Sequence, residues 1–263
     1  MQAVPDVVRK HWPEYLMEAA GLGLFMISAA VVTTLLEYPH SPLHGLFADQ
    51  ATRRLMIGLA MGATAIGLIY SPWGKRSGAH LNPAVTLTFY RLGKIGGIDA
   101  CSYVMAQFFG GALGLWLVSR AIGKAVEHPA VNYVVTTPGP AGSGTAFVAE
   151  ALISFGLMLV VLMVSNTTSL NAWTGCVAGA LVAAYIAIEA PLSGMSMNPA
   201  RSFASALPAH LWTAFWIYLT APLIGMLFAA EVYVRVHGAH RVLCAKLHHT
   251  NTQRCIFRCR YRA

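Results

Sequence analysis

Between Glu150 and Glu189 the chain runs for 38 residues without an Asp, Glu, Lys or Arg, and four other predominantly apolar stretches behave alike. The gaps are 18 residues after Glu18, 20 after Arg54, 20 after Asp99 and 29 after Arg201. A helix needs about 20 apolar residues to cross a bilayer whose hydrocarbon core is about 30 Å thick. Three gaps therefore fit one crossing each, the gap after Arg201 fits one with its lead-in, and the longest fits two joined by a turn. Six crossings result. Only 11% of the residues are charged, against roughly 25% in an ordinary soluble domain. A soluble enzyme, a disulfide-stapled secreted scaffold and a disordered chain are excluded.

The formal net charge of +8 raises nucleic acid as a partner, but the placement of the basic residues excludes it. Arg9, Lys10, Lys75, Arg76, Arg91 and Lys94 flank the first three crossings on one side, and Arg235, Arg241, Lys246, Arg254, Arg258, Arg260 and Arg262 follow the last. Arg53, Arg54, Arg120 and Lys124 fall on the other side. Thirteen against four is a positive-inside bias that orients both termini to the cytoplasm. The expected location is the plasma membrane, which is the inner membrane in a bacterium, with lipid as a partner. The first apolar run follows charged Glu14 and Glu18 and is long enough to span, so it is expected to stay in place rather than be cleaved as a signal peptide.

The expected spans are residues 14–36, 52–71, 98–119, 145–165, 171–190 and 211–234, with Ser165-Asn166-Thr167-Thr168 as the turn inside the longest gap. Trp12, Trp73, Trp173 and Trp212 fall at span ends, where interfacial aromatics belong. Glycines inside the spans allow close helix approach. Residues 1–236 form the membrane domain, and residues 237–263 form a basic tail expected to be disordered. The tail holds Cys244, Cys255 and Cys259 with His248 and His249, but their spacing matches no established zinc pattern. Neither a metal nor any other cofactor is assigned.

An internal repeat organises the membrane domain. Ser77-Gly78-Ala79-His80-Leu81-Asn82-Pro83-Ala84 and Ser193-Gly194-Met195-Ser196-Met197-Asn198-Pro199-Ala200 share the pattern SGxxxNPA. Each follows the second span of a three-span half (about 14–120 and 145–236), and each half opens with a glutamate, Glu18 or Glu150. Three spans is an odd number, so the second half is inverted relative to the first, as in many transport proteins. Asn is a strong N-cap, and Pro is favoured at the first helical position, where its missing N–H costs nothing. Asn82-Pro83 and Asn198-Pro199 therefore each begin a helix, with room only for about Pro83–Arg91 and Pro199–Ala206. Such helices cross half the membrane, and inversion brings their positive N-terminal ends together near its midplane.

On these two motifs, with Ala106-Gln107 in the third span and the two opening glutamates, the chain resembles the aquaporin, or major intrinsic protein, family across residues 14–234. The resemblance implies an all-α membrane fold of six tilted helices and two re-entrant half-helices around one pore per subunit, assembled as a homotetramer. It implies passive conduction of water or small uncharged solutes with protons and ions excluded. The pore motifs are then Asn82, Pro83, Ala84, Asn198, Pro199 and Ala200. Arg201 becomes the arginine of the outer selectivity constriction, with Met195, Ile186 and either Met61 or Gly62 as its other members. Water-selective relatives carry an aromatic on span two and a histidine on span five, and this chain has neither. Ser202, Ala206 and Tyr218 are water-channel residues, whereas Leu219 matches glycerol facilitators.

Glu18 and Glu150 are read as acceptors for re-entrant backbone that has no partner in lipid, in preference to proton-relay acids. His80 is likewise read as a brace for its loop. The leading function is a water channel, with small neutral solutes as candidate co-permeants, and a glycerol-type facilitator is the alternative. A proton-coupled carrier needs titratable groups on the path. A scaffold with a closed pore sits poorly with Asn82, Asn198 and Arg201. No nucleophile–base pair or ligand cluster lies along the path, so an enzyme is disfavoured.

Overall fold

Six long helices carry the charge-poor stretches, and two short ones follow the Asn-Pro pairs. The computed structural model describes residues 4–261. The long helices are α1 (Val4–Glu37), α2 (Gln50–Tyr70), α4 (Gly97–Ile122), α5 (Gly142–Ser165), α6 (Thr174–Ser193) and α8 (Phe215–His237). The half-helices are α3 (Pro83–Arg91) and α7 (Pro199–Ala209). All six long helices are long and apolar enough to cross a membrane. Their outward faces expose Met105, Phe109, Ile188 and Phe228, which water would not tolerate as a continuous apolar band. Trp73, Trp173 and Trp212 are exposed near helix ends, and Trp12 is exposed two turns inside α1.

The two halves pack alike. In the first, α1 lies against α4; in the second, α5 lies against α8; α2 against α6 joins them. These approaches require bare backbone. A Cβ on Gly114 of α4 would stand 2.3 Å from the Gly23 carbonyl of α1. A Cβ on Gly62 of α2 would stand 2.5 Å from the Gly179 carbonyl of α6. Lipid supplies no hydrophobic drive between helices, so such contact is what holds them.

Two sequence expectations change. Helix α1 begins ten residues before the expected span, and its added turns are tied down by buried Val7 and by His11 Nδ1, 2.7 Å from Asp99 Oδ1. The tail, expected to be disordered, follows a defined path. Val242, Cys244, Ala245, Leu247 and Phe257 are buried, and Arg254 Nη1 donates to the Lys10 carbonyl at 3.0 Å. The start of α1 and the tail thus share one face of the bundle, called here the terminal face.

Candidate functional site

The two SGxxxNPA segments fold into loops with the same bonding pattern because each has the same local problem. Both run through left-handed backbone: Gly78, Ala79 and Leu81 at φ 94°, 54° and 49°, and Gly194, Met195 and Met197 at 81°, 49° and 54°. For non-glycine residues this costs of order 1–2 kcal/mol each. A carboxylate offsets it. Glu18 accepts from Ser77 Oγ (2.8 Å), the His80 N–H (3.0 Å), the Leu81 N–H (2.6 Å) and Gln107 Nε2 (2.8 Å). Glu150 accepts from Ser193 Oγ (2.7 Å), the Ser196 N–H (2.6 Å) and the Met197 N–H (2.7 Å). Tyr103 and Tyr218 complete the pairing by donating to the Ser77 and Ser193 carbonyls at 2.7 and 2.5 Å.

This bonding decides where the carbonyls face. In a trans peptide the C=O of one residue points opposite to the N–H of the next. With N–H 80 and 81 turned to Glu18, the Ala79 and His80 carbonyls face away from it. The Met195 and Ser196 carbonyls face away from Glu150 by the same logic. All four residues line the large cavity described next.

That cavity, about 360 Å³, runs from Glu37 and Arg54 near one end to Leu247 at the terminal face. Asn82 and Asn198 meet along it. Each caps its own half-helix through Oδ1, which accepts from the Ala84 N–H at 2.8 Å, or from the Ala200 and Arg201 N–H groups at 3.1 and 3.2 Å. Each also donates one Nδ2 hydrogen across the pair, to Met197 O and Leu81 O respectively, at 2.7 Å. An amide has two Nδ2 hydrogens, so one on each Asn stays available to the cavity. Pro83, Ala84, Pro199 and Ala200 are buried in the first turns behind them.

Arg201 lines the same cavity, on the first turn of α7, and its Nη1 makes no hydrogen bond among the described residues. Met195, Ile186 and Met61 line it too, whereas Gly62 is turned into the α2–α6 contact. Ser28 Oγ, 2.8 Å from Thr64 Oγ1, also donates to Met61 Sδ at 3.9 Å. Of the two span-two candidates, only Met61 lines the cavity.

His80 is more embedded than a loop brace requires. Its Nε2 lies 2.8 Å from the Ala245 carbonyl and its Nδ1 lies 3.0 Å from Thr86 Oγ1. A carbonyl only accepts, so Nε2 donates a proton to Ala245 O. Phe257 stacks on the same ring at 5.4 Å and 14°. Sequence reasoning missed these tail residues, and Leu247 with them, because no local pattern ties residue 80 to residue 245. It also missed Val134, which lines the cavity from a loop whose residues 132–134 all have positive φ. Thr136 Oγ1 anchors that loop 2.7 Å from Ser202 Oγ, which lies 2.6 Å from Ser196 Oγ.

Outside the membrane segments, burial lowers the Lys94 ammonium from its usual value, with Arg260 adding to the effect. Burial does the same to Lys246, whose Nζ donates to the Gln253 and Arg254 carbonyls at 3.0 and 2.7 Å.

Comparison with known proteins gives a consistent result. The family model of the major intrinsic proteins matches residues 8–233. The chain is 36% identical over 184 residues to the probable aquaporin AqpM of Archaeoglobus fulgidus, covering 67% of this chain and 74% of the relative. It is 33% identical over 219 residues to aquaporin NIP2-2 of Zea mays, covering 82% and 72%. Among solved structures, the aquaglyceroporin of Plasmodium falciparum superimposes with a TM-score of 0.71 at 22% identity, over 86% of this chain and 96% of that one.

Proposed function

This chain belongs to the major intrinsic protein family, and from that premise we propose that it is a passive channel conducting water and small neutral solutes while excluding protons and ions. The observation that carries the reading is the meeting of Asn82 and Asn198 at two facing helix N-termini inside one continuous cavity. Two positive dipole ends oppose cations there. A water held by the two amide donors presents its oxygen to both and cannot pass a proton along an oriented chain.

Arg201 is the donor of the outer constriction, and Met61, Ile186 and Met195 form its apolar wall. That wall favours a second reading, a facilitator of small neutral polyols in which water is secondary, because thioether and alkyl side chains adapt to a solute where an aromatic ring would not. Enzymatic activity is no part of either reading, since family members are passive channels. The chain is read as a homotetramer in the plasma membrane with both termini in the cytoplasm, which puts the terminal face inside.

Osmotic shrinkage of vesicles reconstituted with the protein, driven first by sucrose and then by glycerol, tests the reading. Fast shrinkage with both osmolytes and re-swelling with glycerol alone is the expected result. Vesicles no faster than protein-free ones would overturn the channel, and absent re-swelling would restrict it to water.

A further inference from the structure

Residues 242–261 keep a defined path with no helix or strand after the short turn Ala239–Arg241. Twenty residues bury too little apolar surface to hold themselves, and segments of that size are ordinarily fastened by disulfides or a metal. Hydrogen bonds to the channel supply part of the restraint. The Leu243 N–H donates to Asn166 Oδ1 at 2.7 Å, the Leu247 N–H to the Gly78 carbonyl at 3.1 Å, and the Arg258 N–H to the Lys94 carbonyl at 2.9 Å.

Four soft donors converge at the centre of this segment. The sulfurs of Cys244, Cys255 and Cys259 and a ring nitrogen of His249 all lie within 4.8 Å of one another. Cys244 Sγ is 3.6 Å from Cys255 Sγ, and Cys259 Sγ is 3.0 Å from His249 Nε2. A tetrahedral zinc, with Zn–S about 2.3 Å and Zn–N about 2.0 Å, separates its ligands by about 3.8 Å (S···S) and about 3.5 Å (S···N). Shifts of about 1 Å therefore close the cluster on one ion. Thiols that only fill space behave as small hydrophobes and have no reason to gather.

The surroundings match the charge such a site would carry. Three thiolates around a dication leave one net negative charge, and Lys94 and Lys246 lie within Coulombic reach of the sulfurs. Tyr261 stacks on the His249 ring at 4.3 Å and 11°, which fixes the imidazole's orientation. The ligand order, cysteine then histidine then two cysteines, falls outside the usual zinc spacings, which is why the sequence did not disclose it.

We propose that Cys244, His249, Cys255 and Cys259 form a structural site for one Zn²⁺ per chain, which fastens the tail across the terminal-face mouth of the cavity. The fastened segment is the one that reaches the path: Leu247 lines the cavity and Ala245 and Phe257 engage His80.

The test uses full-length protein without a polyhistidine tag, purified under reducing conditions. Elemental analysis is expected to find about one zinc per chain. Cys255→Ser combined with Cys259→Ser is expected to lower that about tenfold or more, with Cys101→Ser and Cys176→Ser leaving it unchanged. Cys259→His, which keeps a ligand, is expected to retain the metal. Replacement by Co²⁺ is expected to give the absorption bands of tetrahedral thiolate coordination. Reduced wild-type protein that neither carries nor takes up added Zn²⁺ overturns the site, as does equal zinc in the double serine variant. A Cys244–Cys255 disulfide found in place of metal also overturns it. Should the variants fail to fold, trypsin digestion of wild-type protein decides. Chelation is expected to speed cleavage at Arg254 and Arg258, with Zn²⁺ restoring protection, and unchanged cleavage overturns the fastening.

Discussion

Asn82 and Asn198 each donate from Nδ2 to the carbonyl that precedes the other, Met197 O and Leu81 O, both at 2.7 Å. The reciprocal bonds lock the two inverted halves together at the point where both half-helices begin. The same two side chains that cap the helices therefore set their distance apart. Capping, joining of the halves and presentation of donors to the cavity are inseparable here.

Asn198→Asp separates these roles. The carboxylate still caps the Ala200 and Arg201 N–H groups, but the donor to Leu81 O is lost and a negative charge faces the cavity. Vesicles carrying the variant are expected to retain water flux and to gain a cation or proton leak, measured with an entrapped pH dye and a sodium gradient. A tight variant would show that the helix ends and Asn198 do not set charge exclusion.

The glutamates carry backbone, and their removal should be a stability effect. Glu150→Ala leaves the Ser196 and Met197 N–H groups buried without acceptors, at about 1–3 kcal/mol each. Thermal unfolding in detergent should fall by many degrees, and Glu150→Gln, which keeps one acceptor, should fall less. A proton-coupled carrier would instead leave both variants stable and abolish flux driven by a pH gradient.

The proposed constriction at Arg201 makes a prediction about solute range. Ile186→His narrows the passage and adds a polar partner, so the ratio of glycerol to water flux should drop several-fold. Arg201→Ala removes bulk and positive charge together, so that ratio should rise. Flux ratios in vesicles, normalised to protein incorporated, check both. If only the arginine variant moves the ratio, Ile186 is not part of the constriction.

The helix contacts give a steric prediction. Gly114→Val drives its Cβ to about the position now 2.3 Å from the Gly23 carbonyl. Overpacking of this kind typically costs 1–3 kcal/mol, roughly, and more where backbone must move. A lowered melting temperature with loss of assembly on size exclusion is expected, and wild-type stability would mean that α1 and α4 lie farther apart.

Topology is open to direct measurement. With chelator present throughout, the tail in sealed right-side-out vesicles should resist external trypsin at Arg254 and Arg258 and become cleavable once the vesicles are opened. Cleavage from outside would invert the orientation.

Local sequence rules reached far in this chain because its strongest constraints are local. A bilayer crossing is a matter of length and polarity, so six spans could be counted from gaps in charge. Asn-Pro is a cap read over three residues, so both half-helices and their start points were legible, as was the need of each loop for a carboxylate acceptor. Only the tertiary structure could turn Met61 rather than Gly62 to the cavity, because one residue of helical phase turns a side chain by about 100° and Gly62 packs against Gly179. Only the tertiary structure brought Val134 into the cavity, since a loop's direction depends on the anchor it finds, here Ser202. The tail is the clearest case. Its residues have no period and no cap, and their positions follow from partners at Gly78, Lys94 and Asn166, all more than seventy residues away in the chain. Short-range propensities cannot encode such pairings; the packed bundle creates the surface that selects them.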